Sequence, residues 1–388
     1  MSGTHWFKNA IVYHILIDRF AGYKDPKDWE KPDFLGGNIQ GIIEKLPYLI
    51  DLGIDVIWIS PFYKTSAYHG YHITDFFQVD PHFGTIEDLK SLIQKCHNSN
   101  LRIIADFVPN HLSKKHPFFI DAQTFKESKY NNWFYFTNWP HEYLSFLSVD
   151  EIPKINLNNP EARQHIIEAA KFWLSQGFDG FRVDHIIGPS HEFWNEFKQQ
   201  IKSEFSHALL IGEAWMMGIK FYELKTINVK GKYIKWLISD ASDSLFKEYV
   251  GELDGVLDFK FQHLIRKYII NSELTEKIFN KKLHQHFSCF PDNYYLPNFL
   301  DNHDMDRFLF LSKNNSKKLK EAATIQFKLN QPSIIYYGTE TGLTQNKSVW
   351  QSTSHGDLQA RQPMNWEQQN KDLLAFYKKI IKEKKNRK

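Results

Sequence analysis

The feature that most constrains this sequence is an alternation of short β-rich runs with segments of helical period, sustained almost from end to end. The runs Ile11–Phe20, Val56–Ser60, Arg102–Val108, Gly180–Asp184, Leu209–Trp215, Gly255–Phe261, Asn298–Asp301 and Ser333–Gly338 are eight strand candidates. Between them lie stretches such as Ala162–Leu174 and His191–Phe205, whose apolar residues recur at helical spacing. Repeated strand–helix units give a parallel sheet covered by helices, and eight of them favour a closed barrel. The same alternation also builds an open doubly wound sheet. Here no phosphate-cradling glycine motif follows the first run, which counts against that alternative. The expected class is therefore α/β, a (β/α)8 TIM barrel.

One connection differs from the rest. From His111 to about Leu157 the chain is long, aromatic and interrupted by Pro117, Pro140 and Pro153. Loops of that length inside a compact domain are usually functional. The expected organisation is a barrel begun by residues 1–111, a small irregular subdomain over 112–157 inserted after the third strand, and the rest of the barrel over 158–388. The basic segment Lys378–Lys388 reads as a helical tail with a solvated face.

Composition narrows the function. A net charge of +3 is too small for a surface that neutralises a nucleic-acid backbone. Cys96 and Cys289 are the only cysteines, which leaves no disulfide framework and no CxxC metal site. Met1–Phe20 lacks the basic, apolar and small-residue order of a secretory leader, and no run approaches the roughly 20 apolar residues of a membrane span. The expectation is a cytoplasmic protein with no membrane partner. Aromatic residues make up 16% of the chain; most must fill the core, but exposed rings also suit the C–H faces of sugars.

Ionisable residues gather at the C-terminal ends of the expected strands, where barrels keep their active sites. The third ends in Asp106 to His111, the fourth in Arg182-Val183-Asp184-His185, the fifth in Gly212-Glu213-Ala214-Trp215 and the seventh in Asp301-Asn302-His303-Asp304. A lone Asp at a strand end is usually a cap or ion-pair partner. Several carboxylates converging on one rim with an Arg and His residues point instead to chemistry. Glycosidic cleavage needs an acid for the leaving oxygen and a carboxylate to meet positive charge at the anomeric carbon. Arg182 lies two residues before Asp184, so both point to the same side of a strand and the cation keeps Asp184 ionised. Glu213, near other carboxylates and Trp215, is expected to hold its proton.

These segments, in this order, resemble the α-amylase family of glycoside hydrolases (family 13). Supporting runs are Tyr68-His69-Gly70-Tyr71, Asp80 to Thr85 and Tyr337 to Gly342. The resemblance implies Asp184 as nucleophile, Glu213 as general acid/base and Asp304 as third carboxylate. It implies substrate contacts from His69, Tyr71, His111, Arg182, His303, Trp215 and Arg361, with Asp106 bracing the site. Ile152-Pro153-Lys154-Ile155-Asn156 and Trp215 look like the neopullulanase and cyclomaltodextrinase branch. The implied reaction is retaining hydrolysis of α-1,4-glucosidic bonds in maltodextrins, starch-like glucans or cyclomaltodextrins. Transglycosylation, α-1,6 cleavage and a catalytically impaired glucan-binding barrel are the alternatives. A metal-dependent hydrolase is disfavoured, since no HxH lies on the first run and no HExxH on a helix.

The implied partner is an α-glucan oligosaccharide or polysaccharide, with homo-oligomerisation left open. No cofactor is required. Family members that hold calcium use the Asn at position 110 and a backbone oxygen near position 188. Asn110 is a candidate ligand, but Gly188 departs from the pattern, so calcium is not predicted. The family's C-terminal β-sandwich is expected to be absent, because the sequence ends close to the last barrel helix.

Overall fold

Strands that are apolar on both faces need cover on both sides, and the helical segments between them are amphipathic enough to supply it. The computed structural model describes residues 3–23, 25–215, 242–351 and 355–387. Its chain divides into two compact units, one from Pro61–Pro81 and Ile104–Val256, the other from Thr4–Ser60, His82–Ile103 and Leu257–Lys388.

In the first unit residues 104–107 of the strand Arg102–Phe107 and the strands Gly180–Val183, Leu209–Gly212 and Gly255–Val256 lie side by side and parallel. The helix Pro160–Ser175 leads into the second of them. It starts where it does because Asn159 accepts hydrogen bonds from Glu161 and Ala162 N–H and Pro160 fits the first turn. Its buried face runs Ala162, Ile166, Ile167, Ala170, Trp173 and Leu174, the 3.6-residue period visible in the sequence. The helix His191–Glu204, capped by Ser190, makes the next crossover. Two additions hang on this frame. An antiparallel hairpin, Tyr63–Thr65 with Ile73–Val79, carries Tyr68–His72 in its connection. The segment after His111 forms the helix Pro117–Thr124 and the hairpin Phe136–Asn138 with Glu142–Tyr143, closed by bridges His111–Lys154, Phe134–Ile155 and Ser145–Pro153.

In the second unit Ile11–Ile15 is the central strand, with Val56–Ile59 and Ser333–Tyr336 parallel to it on either side. All three are buried along their whole length. The helix Ile39–Leu52 is opened by Asn38 and closed by Gly53 at φ 92°. The helix Ile86–Asn98 begins with a reciprocal Thr85–Asp88 capping box.

Three strand expectations shrink most. Ile11–Phe20 stops at Ile15 and becomes the short helix Ile17–Phe20. Gly255–Phe261 keeps only two strand residues, because the Asp258 side chain accepts Phe261 N–H and starts a helix at Phe259. Asn298–Asp301 makes a single bridge, Asn298 to Ser333, and Asp301 spends its carboxylate on Phe308 N–H and the Thr339 hydroxyl. The basic tail is also less solvated than its composition suggests. In the helix Lys371–Lys385, buried Lys384 donates to Leu329 O, Gln331 O and Ser333 Oγ, while Lys378 and Lys385 pair with Asp51 and Asp55. Lys388 lies outside the described residues.

Candidate active site

The first unit brings five of the singled-out residues together around one guanidinium. Arg182 is buried on Gly180–Val183, and its Nη1 lies 2.8 Å from Asp106 Oδ1 and 2.7 Å from Asp184 Oδ1. Its Nη2 lies 2.6 Å from Glu213 Oε1. Tyr71 donates its hydroxyl to Asp106 Oδ2 at 2.8 Å. The sheet sets these positions: Asp184 N–H donates to Phe107 O and Glu213 N–H to Val183 O, continuing the parallel ladder past the strand ends. The turn bearing Tyr71 depends on Gly70 at φ +87°, where a Cβ would fall 2.0 Å from Pro61 O. His69 accepts Tyr71 N–H through Nδ1 at 3.2 Å and so shapes that turn.

The electrostatics follow from burial. Desolvation works against the Arg182 charge, but Asp106, Glu213 and Asp184 together overcome it and hold its pKa well above the usual value. Burial pushes the Asp106 carboxyl up to about 7, with repulsion from Asp184 adding to it and the Arg182 and Tyr71 bonds opposing it. Three carboxylates around one cation carry two uncompensated charges when all are ionised, so the cluster favours retaining a proton. The Arg182–Glu213 pair is a departure from the sequence reading, which gave the cation to Asp184 alone.

Beyond the cluster, His111 and His185 are buried next to Phe146. Burial first, then His72 and Lys154, pulls His111 down to about 3; burial first, then Lys154, takes His185 well below its ordinary value. Both shifts favour the neutral imidazole. His185 sits at φ 43°, and its N–H reaches Glu213 Oε2 at 3.3 Å. Strain of this kind, in a non-glycine residue beside the reacting groups, is typical of functional sites. Trp215 is half-buried two residues past Glu213.

Asn110 does not make a calcium site here. A Cβ on Gly188 would fall 1.9 Å from Asn110 Oδ1, while Gly188 O already accepts the Lys154 ammonium at 2.8 Å. An ammonium on one of two candidate oxygens, with no carboxylate grouped there, is the wrong chemistry for a divalent hard cation. Among the described residues no three His, Cys, Asp or Glu side chains are grouped to hold a metal.

The second unit assembles the remaining residues. Asp304 Oδ1 accepts Arg361 Nη2 at 2.8 Å, and its Oδ2 lies 3.0 Å from His303 Nε2. Arg361 also donates through Nε to His303 O at 2.9 Å and pairs with Asp357. Asp304 is the most open of the three proposed catalytic carboxylates, with 28% of its side chain exposed. His14 completes the group: its ring stacks on Trp58 at 3.6 Å and meets His303 edge-on at 5.0 Å. Sequence reasoning passed over His14 and took Lys154 only as part of a branch motif, with no role at the site. A polar residue inside the apolar strand Ile11–Ile15 was the available signal for the first. A lysine between Pro153 and Ile155 in an otherwise apolar run was the signal for the second.

The model of the alpha-amylase catalytic domain matches residues 14–386. The chain belongs to the alpha-amylase family. Its parallel strands and crossover helices are consistent with that family's (β/α)8 barrel. This alpha-amylase-family chain is 38% identical over 98% of its length to alpha-amylase 2 of Dictyoglomus thermophilum, covering 64% of that protein. Over 97% of its length it is 30% identical to neopullulanase 2 of Thermoactinomyces vulgaris, covering 63% of it. A solved cyclomaltodextrinase matches 98% of the chain with a TM-score of 0.82 and 28% identity, 64% of that structure being covered. The chain thus spans less than two thirds of these relatives, and the names place it near the branch that its motifs resemble.

Proposed function

We propose that the chain is a retaining α-glycoside hydrolase acting on α-1,4 bonds of maltodextrins, starch-like glucans or cyclomaltodextrins. The observation that carries the reading is Arg182 shared among Asp106, Asp184 and Glu213. In the first step Asp184 attacks the anomeric carbon while Glu213 gives its proton to the departing glycosidic oxygen. A glycosyl ester on Asp184 forms and the glycosidic C–O bond breaks. Forming the ester removes the Asp184 charge from Arg182 and leaves that cation to Asp106 and the newly ionised Glu213. Glu213 then takes a proton from water, whose oxygen attacks the same carbon and frees Asp184. Asp304, held by His303 and Arg361, is assigned sugar hydroxyls and the developing positive charge. Tyr71, braced by Asp106, is assigned the ring face; His69, His111 and Trp215 complete the substrate contacts.

The reading includes residues 112–157 as a subdomain inserted between barrel segments 1–111 and 158–388, supported by the local bridges that close this stretch on itself. Among the described residues no helix is long and apolar enough to cross a membrane. Fractionation of source cells would check the cytoplasmic location the reading assumes.

The test is a product profile with maltotriose and cyclomaltodextrin, followed by NMR before mutarotation, with Asp184→Asn as control. The expected product keeps the α-anomeric configuration and vanishes in the variant. A β-anomeric product would overturn double displacement, and larger oligosaccharides as main products would shift the reading to transglycosylation.

A further inference from the structure

Lys154 is an unusual residue to find where it is. Only 6% of it is exposed, and burial alone pulls its pKa down to about 7. Its backbone is fixed first: Lys154 N–H donates to Leu144 O, and the bridge to His111 ties it to the end of the third strand. Its side chain then crosses to the loop that follows Asp184 and donates to Gly188 O at 2.8 Å. That loop is compact. Gly188 N–H donates to His185 O, Ile186 N–H to Glu213 O, and His185 N–H reaches the Glu213 carboxylate. Asn110 Oδ1, nearly in contact with Gly188, is buried without a hydrogen-bond partner among the described residues. Here a buried ammonium sits on one backbone carbonyl, and an amide oxygen lies against the same glycine. Such an arrangement is the surrounding of a cation, with the cation supplied by the chain itself.

We infer that the Lys154 ammonium is the resident cation of this corner, standing where the family resemblance places calcium, and that it fastens the Asp184–Ser190 loop to the inserted segment. Lys154 is thus a positioning residue. It holds the loop through which His185 N–H meets Glu213. The consequence is metal independence: a divalent ion entering beside Asn110 and Gly188 would meet a positive charge and lose one of its two oxygens to it. Replacing the ammonium by a carboxylate should invert this. Asp at position 154 supplies a hard anionic ligand next to the same two oxygens and turns the corner into a calcium site.

The inference concerns structure around the loop and stands whether or not the chain hydrolyses glucans. It is tested on the full chain by thermal unfolding and calcium calorimetry, with EDTA, CaCl2 and MgCl2. Wild type is expected to keep its Tm within about 1 °C in all three and to give no calcium heat. Lys154→Asp is expected to lose about 3 °C or more in EDTA and to recover most of it with calcium but not magnesium. Lys154→Met is expected to fall by a similar amount with no recovery, since Gly188 O is left unsatisfied. Stoichiometric calcium binding to wild type, with a Tm that drops in EDTA, would overturn the inference. So would a Lys154→Met chain with unchanged Tm. If Lys154→Asp does not fold, the wild-type calorimetry and Lys154→Met decide alone.

Discussion

At the scale of single residues the decisive object is Arg182. Its place was legible, because a two-residue spacing on a strand puts Arg182 and Asp184 on one side whatever the fold. Its hold on Glu213 was not, since that bond joins neighbouring strands and depends on register, which local pattern does not encode. The arrangement makes a sharp prediction. Arg182→Met leaves three buried carboxylates without their cation, and breaking buried ion pairs from one side costs about 3–5 kcal/mol. Arg182→Lys should recover only part, because one ammonium cannot reach three carboxylates with the planar fork of a guanidinium. Urea unfolding of both variants checks this; equal stability of wild type and Arg182→Met would remove Arg182 from its central role. For Glu213, the roles predict that Glu213→Gln loses at least about 100-fold in kcat on maltotriose. It should lose far less in forming the glycosyl ester from aryl glycosides with acidic phenol leaving groups, which need no proton. Pre-steady-state phenol release measures that difference.

At the scale of elements, helical period was the readable part, while the caps went unread and short strands were overdrawn. Asn38, Thr85, Asn159 and Ser190 all sit just before the helices that their side chains open, as local chemistry requires. Asn298–Asp301 reads as a strand on composition, yet its groups are claimed by distant partners: Gln326 donates to Asn298 O, and Arg266 to Leu300 O. No window of sequence contains those partners. One cap has a pH consequence. His116 opens the helix Pro117–Thr124 by accepting Phe118 N–H on Nδ1, which requires a neutral ring, and burial pulls its pKa down to about 3. The unfolded chain binds this proton near pH 6.5 and the folded chain does not until about 3. Stability is therefore fully present above about pH 6.5 and is lost as pH falls through that window. The slope contributed is at most about 1.4 kcal/mol per pH unit. His116→Asn keeps a capping acceptor without the titration. Its unfolding free energy should fall less steeply from pH 6.5 to 4 than that of wild type; parallel slopes would mean that the ring protonates without leaving its cap.

At the scale of the molecule, the residues that the motifs single out are dispersed along the chain, from His69 to Arg361, and they fall into two clusters held in different ways. Asp184 and Glu213 share one buried cation, while the more exposed Asp304 is held by buried Arg361 and His303. The alternation of strands and helices made this class of fold legible, because eight repeats leave few architectures open, and the order of the motifs made the family legible. The clusters' internal bonds had to come from the structure. If the three carboxylates serve one reaction, their contributions must be strongly non-additive, since a glycosyl transition state missing its nucleophile has nothing further for the third carboxylate to stabilise. Asp184→Asn should lower kcat/KM on maltotriose by about 10⁴-fold or more and Asp304→Asn by about 10²-fold or more. The double variant should be no worse than Asp184→Asn within about threefold. Losses that instead multiply would mean that Asp304 acts in a step independent of Asp184, such as binding the chain of sugars before reaction. In that case KM would carry the Asp304→Asn defect and kcat would not.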